Sequence, residues 1–326
     1  MIEFDQVSKT YAGGVEAVSD LSLEVQEGEL LVLLGTSGCG KTTTLKMINR
    51  LIEPTSGRIL VDGTDIMEVD EIQLRRTIGY AIQHIGLFPH MTVAGNISVV
   101  PRLLKWSKER IAERVDELLE MVGLDPDRFR DRYPAQLSGG QKQRIGVARA
   151  IAADPKIVLM DEPFGALDPI TREQLQEEFL SLQDKLQKTI VFVTHDVFEA
   201  VKLADRVALL DAGVLQQLGS PSDIVEQPAN DFVDRFLGEH RFQLALLTRD
   251  VGGMAEPPEK DEELKLAGEE GLARTSSLVS ALDTFKRTGK DVLPVYGNEE
   301  CVGVLTREKV IAAISETIQQ GTEKFE

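Results

Sequence analysis

The octet Gly35-Thr36-Ser37-Gly38-Cys39-Gly40-Lys41-Thr42 follows directly on the apolar run Leu30 to Leu34 and leads into a helical stretch that starts at Lys41. Glycines in such a turn let backbone N–H groups wrap an anion at the positive end of a helix, which suits a phosphate chain and predicts nucleotide binding. Lys41 is then placed to reach the β and γ phosphates, and Thr42 to ligate Mg²⁺ through its hydroxyl. Gly35, Ser37, Gly38, Cys39, Gly40 and Thr43 complete the expected cradle. Downstream, Ile157-Val158-Leu159-Met160-Asp161-Glu162 sets two carboxylates at the end of an apolar strand, where open α/β sheets bind ligands. Asp161 suits a direct or outer-sphere Mg²⁺ role, and Glu162 is placed to polarise an attacking water. His195 follows the run Ile190 to Val193 in the same manner, and a histidine so placed serves structure as readily as catalysis. Leu137-Ser138-Gly139-Gly140-Gln141 opens another helix and makes a second anion-binding edge. One phosphate loop needs no second edge, so the economical reading is that this edge closes over a nucleotide held by another copy of the chain.

The elements that must position these residues alternate short apolar runs with amphipathic stretches, the pattern of an α/β unit over the first 240 or so residues. Strands are expected at Leu30–Leu34, Ile59–Val61, Ile157–Met160, Ile190–Val193 and Val207–Leu210. Helices are expected at Lys41–Leu51, Lys108–Val122, Gln141–Ala153 and Thr171–Leu186. After Gly238 the composition shifts, and Met254 to Glu263 reads as a charged, proline-containing loop or linker. A smaller unit follows with a helix (Ser277–Arg287), a strand (Val292–Tyr296), a turn at Gly297-Asn298, a strand (Cys301–Leu305) and a helix (Glu308–Ser315). The expected division is a nucleotide-binding domain over 1–238, a linker and entry segment over 239–275, and a small unit over 276–326.

With 326 residues the chain is long enough for two domains. Its 54 acidic and 36 basic residues leave a formal charge of −18, which argues against a protein that grips bare nucleic acid or an anionic lipid surface. Apolar residues at 42% and charged residues at 28% are ordinary globular usage. No apolar run approaches the roughly 20 residues of a membrane-spanning helix, and Met1 to Asp5 lacks the basic start and apolar stretch of a secretory leader. Cys39 and Cys301, far apart in sequence, are expected to be unpaired thiols in a reducing, cytoplasmic setting.

From about Met1 to Gly238 the chain resembles the ATP-binding subunits of ABC transporters, on the ordered set Tyr11, Gly35 to Thr42, Gln83, Leu137 to Gln141, Asp161-Glu162, Ala166-Leu167-Asp168 and His195. The resemblance implies a P-loop NTPase fold, an ABC-type ATPase domain with a helical subdomain, using ATP and Mg²⁺. It implies that Tyr11 stacks on adenine, that Gln83 senses the γ phosphate and Mg²⁺, that Asp168 sits across a dimer interface, and that His195 contacts the γ phosphate. The segment between Gln83 and Leu137 would be the helical subdomain that docks on a membrane partner. Gly79 to Val93 and Asn49 to Gly57 look most like importers of glycine betaine, choline, carnitine and proline. Leu278 to Ile314 is similar to one CBS motif, a small α/β regulatory module that importers of this kind often append. CBS motifs usually fold in pairs, so a second half would come from another subunit. Lys309 stands where the adenosine-binding version carries an aspartate for the ribose hydroxyls. The family reading implies a homodimer of ATPase subunits, separate transmembrane permease subunits and an external solute-binding protein, with this chain at the cytoplasmic face of the membrane. A soluble relative acting on DNA or ribosomes would carry a long coiled-coil insertion or two ATPase units in one chain, and neither is present. A nucleotide sensor with incidental hydrolysis fits poorly with so complete a catalytic set.

Overall fold

A computed structural model describes residues 1–82, 86–165, 167–257, 270–297 and 300–323, the last helix with side chains to Thr317. The chain divides into two compact units, Met1–Leu218 and Gly219–Glu326.

The first unit holds two sheets. A six-stranded sheet has the order β10-β9-β3-β8-β7-β6, built from β3 (Leu30–Gly35), β6 (Ile78–Ala81), β7 (Ile157–Asp161), β8 (Thr189–Val193), β9 (Arg206–Asp211) and β10 (Val214–Gly219). β9, β3, β8, β7 and β6 pair in parallel. Every residue of β3, β7 and β8 is buried. A parallel sheet covered on both faces takes strands that are apolar throughout, which is why these were visible as unbroken runs. Parallel strands put their C-terminal ends on one side, so the residues after β3, β8 and β7 gather at a single edge.

The second sheet is antiparallel where its pairings are given, in the order β2-β1-β4-β5, from β1 (Ile2–Thr10), β2 (Glu16–Val25), β4 (Ser56–Val61) and β5 (Thr64–Asp65). The run Ile59–Val61 belongs here rather than to the parallel sheet. β2 buries one face only, with Leu21, Leu23 and Val25 inward and polar residues between them, the alternation of a strand with one solvated side.

Helix boundaries differ from expectation where local chemistry stops or starts the chain. The first helix ends at Ile48 rather than Leu51, because Arg50 adopts a positive φ of 52° and the Asn49 side chain accepts from Leu51 N. The helix expected at Gln141 starts at Gly139, capped by Ser138, and ends at Ala150. The one expected at Thr171 starts at Pro169, with Asp168 as its cap and proline at its first position. Between β6 and Leu137 the described residues form the helices Val93–Ile97, Val99–Leu103, Lys108–Met121 and Pro126–Phe129.

The second unit opens with helices Pro221–Glu226, Asp231–Leu237 and Arg241–Thr248, so Gly238 lies inside it. Arg241 ties two of them together by donating to the carbonyls of Val225 and Glu226. Its three-stranded sheet runs β11 (Leu272–Ala273), β12 (Val292–Gly297), β13 (Glu300–Thr306), with helices Leu278–Thr288 and Arg307–Glu323. Val251, Leu272, Phe285, Leu293, Leu305 and Val310 form its core. The expected loop from Met254 proves ordered at its start: Glu256 exchanges both backbone hydrogen bonds with Val304 on β13, and Lys309 pairs with Glu256 Oε1 at 2.6 Å. An edge strand with unsatisfied backbone groups recruits this segment. Residues 258–263 of that loop, and Asn298 of the expected turn, lie outside the described residues. Cys39 and Cys301 are both free thiols. Among the described residues no helix is long and apolar enough to cross a membrane.

Candidate functional site

The loop from Gly35 to Gly40 joins β3 to the helix Lys41–Ile48. Gly40 closes it with φ 103°, and a Cβ there would stand 2.3 Å from the Ala17 carbonyl oxygen, so only glycine lets the loop lie this close to β2. No side chain caps the helix, so its leading amides have no side-chain acceptor, and the positive helix end behind them suits them to receive an anion. Lys41 is 5% exposed and folds back on the loop, donating to the carbonyl oxygens of Gly35 and Thr36 at 2.8 Å each. Cys39 is buried beneath, and burial pushes its thiol pKa up against the pull of Lys41. It packs the loop rather than offering a thiolate.

Asp161 ends β7 and accepts a hydrogen bond from the Thr42 hydroxyl at 2.9 Å. Burial raises its carboxyl pKa, while the Thr42 hydrogen bond and the charge of Lys46 oppose the shift. A carboxylate and a hydroxyl oxygen at this separation, one of them poorly solvated, are the hard donors that Mg²⁺ takes. Glu162, the next residue, adopts a positive φ of 43°. Its Oε1 lies 3.3 Å from His195 Nδ1, which follows β8. β8 lies between β3 and β7 in the sheet, so the loop, the histidine and the two carboxylates come from three adjacent strand ends. Tyr11, at the end of β1, brings its hydroxyl 3.3 Å from Thr43 Oγ1 with its ring 40% exposed. That places an aromatic face beside the phosphate loop.

Ser138–Gln141 and Asp168 form a separate group. Ser138 and Gln141 close a capping box on each other, and Gly140 stands against Thr171 of the helix that Asp168 caps. Hydrogen bonding from Thr171, its side chain first and its backbone N–H second, holds the Asp168 carboxyl below the usual range. Among the described residues no hydrogen bond joins Ser138–Gln141 to the phosphate loop of the same chain. Gln83, two positions beyond β6, and Ala166 lie outside the described residues. Sequence patterns did not point to Arg172, which pairs with Asp196 beside His195, or to Glu199, on the helix that follows His195. Their signal was a charged residue one turn into a helix after a functional strand end, with Glu199 6% exposed.

Comparison with known proteins now bears on this arrangement. The family model described as ABC transporter matches residues 18–165. The glycine betaine uptake system ATP-binding protein YehX of Escherichia coli is 51% identical over 295 residues, 90% of this chain and 94% of that protein. The chain belongs to the ABC transporter ATP-binding family. Within it, the glycine betaine/carnitine/choline transport ATP-binding protein OpuCA of Bacillus subtilis is 61% identical over 241 residues, 74% of this chain. That alignment spans 63% of the Bacillus protein's length. A solved dimeric ATP-binding cassette in a post-hydrolysis state, bound to ADP and Pi, is 35% identical with a TM-score of 0.61, covering 68% of this chain and 98% of that one.

Proposed function

We propose that this member of the family is the ATP-hydrolysing, energy-coupling subunit of an importer for quaternary-amine osmolytes such as glycine betaine, choline and carnitine. It works at the cytoplasmic face of the membrane as a homodimer that closes on two ATP molecules and opens after hydrolysis, driving separate permease subunits fed by an external solute-binding protein. The observation that carries the catalytic reading is the convergence of the phosphate loop, His195 and Asp161-Glu162 at three neighbouring strand ends. The solute class rests on relatives whose printed names carry those substrates at 51 to 61% identity, against 47% for a sulfate/thiosulfate import protein of Pseudomonas syringae.

In this mechanism Tyr11 stacks on the adenine, and the loop amides from Ser37 to Thr43 hold the phosphates while Lys41 leaves its carbonyl partners for the β and γ oxygens. Thr42 and Asp161 would hold Mg²⁺, with Gln83 as a further expected ligand, and the ion would supply charge neutralisation on the phosphates. Glu162 Oε accepts a proton from the attacking water. His195, its Nδ1 toward Glu162, presents Nε2 to the terminal phosphate. Ser138, Gly139, Gly140 and Gln141 of a second copy complete the site, with Asp168 at the junction. Their side chains bond within their own helix termini, which supports a role across copies rather than in this chain's own loop. The C-terminal unit regulates or dimerises, and Lys309, engaged with Glu256, is not set for a ribose.

Glu162→Gln keeps the shape and loses the proton acceptor. Turnover should fall by about 10² to 10⁴ while the variant still binds ATP and elutes as a dimer with it. Turnover within a few-fold of the parent overturns the assignment of Glu162.

A further inference from the structure

Helix Pro169–Leu186 starts at Asp168, and its first two turns are tied sideways to the segment that carries His195. Arg172 donates from one terminal nitrogen to the Leu167 carbonyl oxygen at 3.2 Å, and the other stands 3.7 Å from Asp196 Oδ2. One turn on, Gln176 Nε2 donates to Glu199 Oε1 at 3.0 Å, both residues buried. On the receiving side, Asp196 accepts from the amides of Phe198 and Glu199, and its own amide donates to Thr194 Oγ1. Residues 194–199 are thus one hydrogen-bonded turn with His195 inside it, and His195 reaches Glu162.

We infer that Arg172 is a positioning residue that links the Leu167-Asp168 loop to His195, so that contact of Asp168 with a second copy sets the His195–Glu162 pair. This rests on the proposed dimer. The guanidinium spans the two segments, a hydrogen bond to the Leu167 carbonyl at one end and an ion pair with Asp196 at the other, so moving Leu167 moves the charge that Asp196 faces. The Gln176–Glu199 bond, buried one turn behind, is the fixed point about which that fork acts. Side chains of Arg172 and Asp196 are 32% and 33% exposed, and an ion pair so solvated adds little to stability. Its value lies in placement, to which reaction rates are steeply sensitive.

The full chain with Arg172→Ala, with Asp196→Asn, and with both tests this by steady-state ATP hydrolysis and thermal melting. Asparagine keeps the helix cap while removing the charge. Arg172→Ala should lower kcat by about tenfold to a hundredfold, with KM for ATP within about twofold and the melting temperature nearly unchanged. Asp196→Asn should also lower kcat, and the double variant should be no slower than the slower single, since both cut one link. Wild-type kcat in Arg172→Ala, or effects that multiply in the double variant, would overturn the link. Gel filtration of Glu162→Gln with ATP separates the two ideas. A dimer there combined with wild-type turnover in Arg172→Ala overturns only the link, whereas a monomer overturns the dimer reading and the link with it.

Discussion

Gly38 and Gly40 both adopt positive φ, 83° and 103°, and comparing alanine at each separates backbone strain from close approach. A side chain in that region costs about 1–2 kcal/mol at either position. At Gly38 a Cβ meets nothing within 4 Å, whereas at Gly40 it meets the Ala17 carbonyl oxygen at 2.3 Å. Real Cβ atoms stay beyond 3.0 Å, so Gly40→Ala must move the loop or Ala17 by at least 0.7 Å, the difference between those values. Gly40 precedes the amides that face the phosphate site, and a displacement near 1 Å in such a position can cost about 10²-fold. Gly38→Ala should therefore melt about 2–8 °C lower, from 2–4 °C per kcal/mol in a unit of this size, and lose less nucleotide affinity than Gly40→Ala. Gly40→Ala should lose at least as much thermal stability, since the clash adds to the strain, and bind a fluorescent ATP analogue at least about tenfold more weakly than Gly38→Ala. Melting without nucleotide and equilibrium titration measure the two effects. Equal affinity in the two variants would show that the contact with Ala17 does not hold the loop.

Ser138→Arg should abolish hydrolysis, and mixing it with Lys41→Ala should restore part of the activity, because each heterodimer then keeps one intact composite site; normal turnover by Ser138→Arg alone refutes the sandwich. Phe192, wholly buried between Phe164 and Phe179, should cost about 3–5 kcal/mol as alanine in urea unfolding. Burial raises the Glu199 carboxyl pKa above its ordinary 4.5, against hydrogen bonds from Thr194 and Gln176. The native state then holds that proton more tightly than the unfolded one, so this residue's contribution to stability grows as pH falls through the raised value and is complete below 4.5. Glu199→Gln should remove that component of the pH profile in thermal melts, and an unchanged profile would contradict the burial argument.

Buried parallel strands were readable because both faces are apolar, and the phosphate loop because its glycines answer a local steric demand. β1 and β2 were not, since each exposes one side and their pairing slips register between Phe4 and Val7 and again to Lys9 and Thr10. Placing His195 beside Glu162 needs the strand order β3-β8-β7, which departs from chain order and leaves no local trace. The Arg172 link joins side chains 24 positions apart through a partly solvated pair, and nothing in composition or period announces it. Docking of Glu256 on β13 was equally hidden, because a charged, proline-rich stretch looks like linker whether or not an open strand edge waits nearby.

Lys41 in its folded-back pose is a tethered competitor for its own binding loop. Two carbonyl oxygens and, more weakly, the Cys39 sulfur already accept from the ammonium, so an anion must offer more than they do before the side chain exchanges partners. A chain of phosphates meets that threshold by engaging the ammonium and the loop amides together, and charge-assisted bonds to phosphate are the stronger kind. A monophosphate or free phosphate engages fewer donors and leaves the lysine where it is. If Lys41 meets the phosphates as proposed, inorganic phosphate and AMP should displace bound ATP poorly in competition titrations. Replacing Lys41 with alanine should narrow the gap between AMP and ATP, because the threshold disappears along with the phosphate contact.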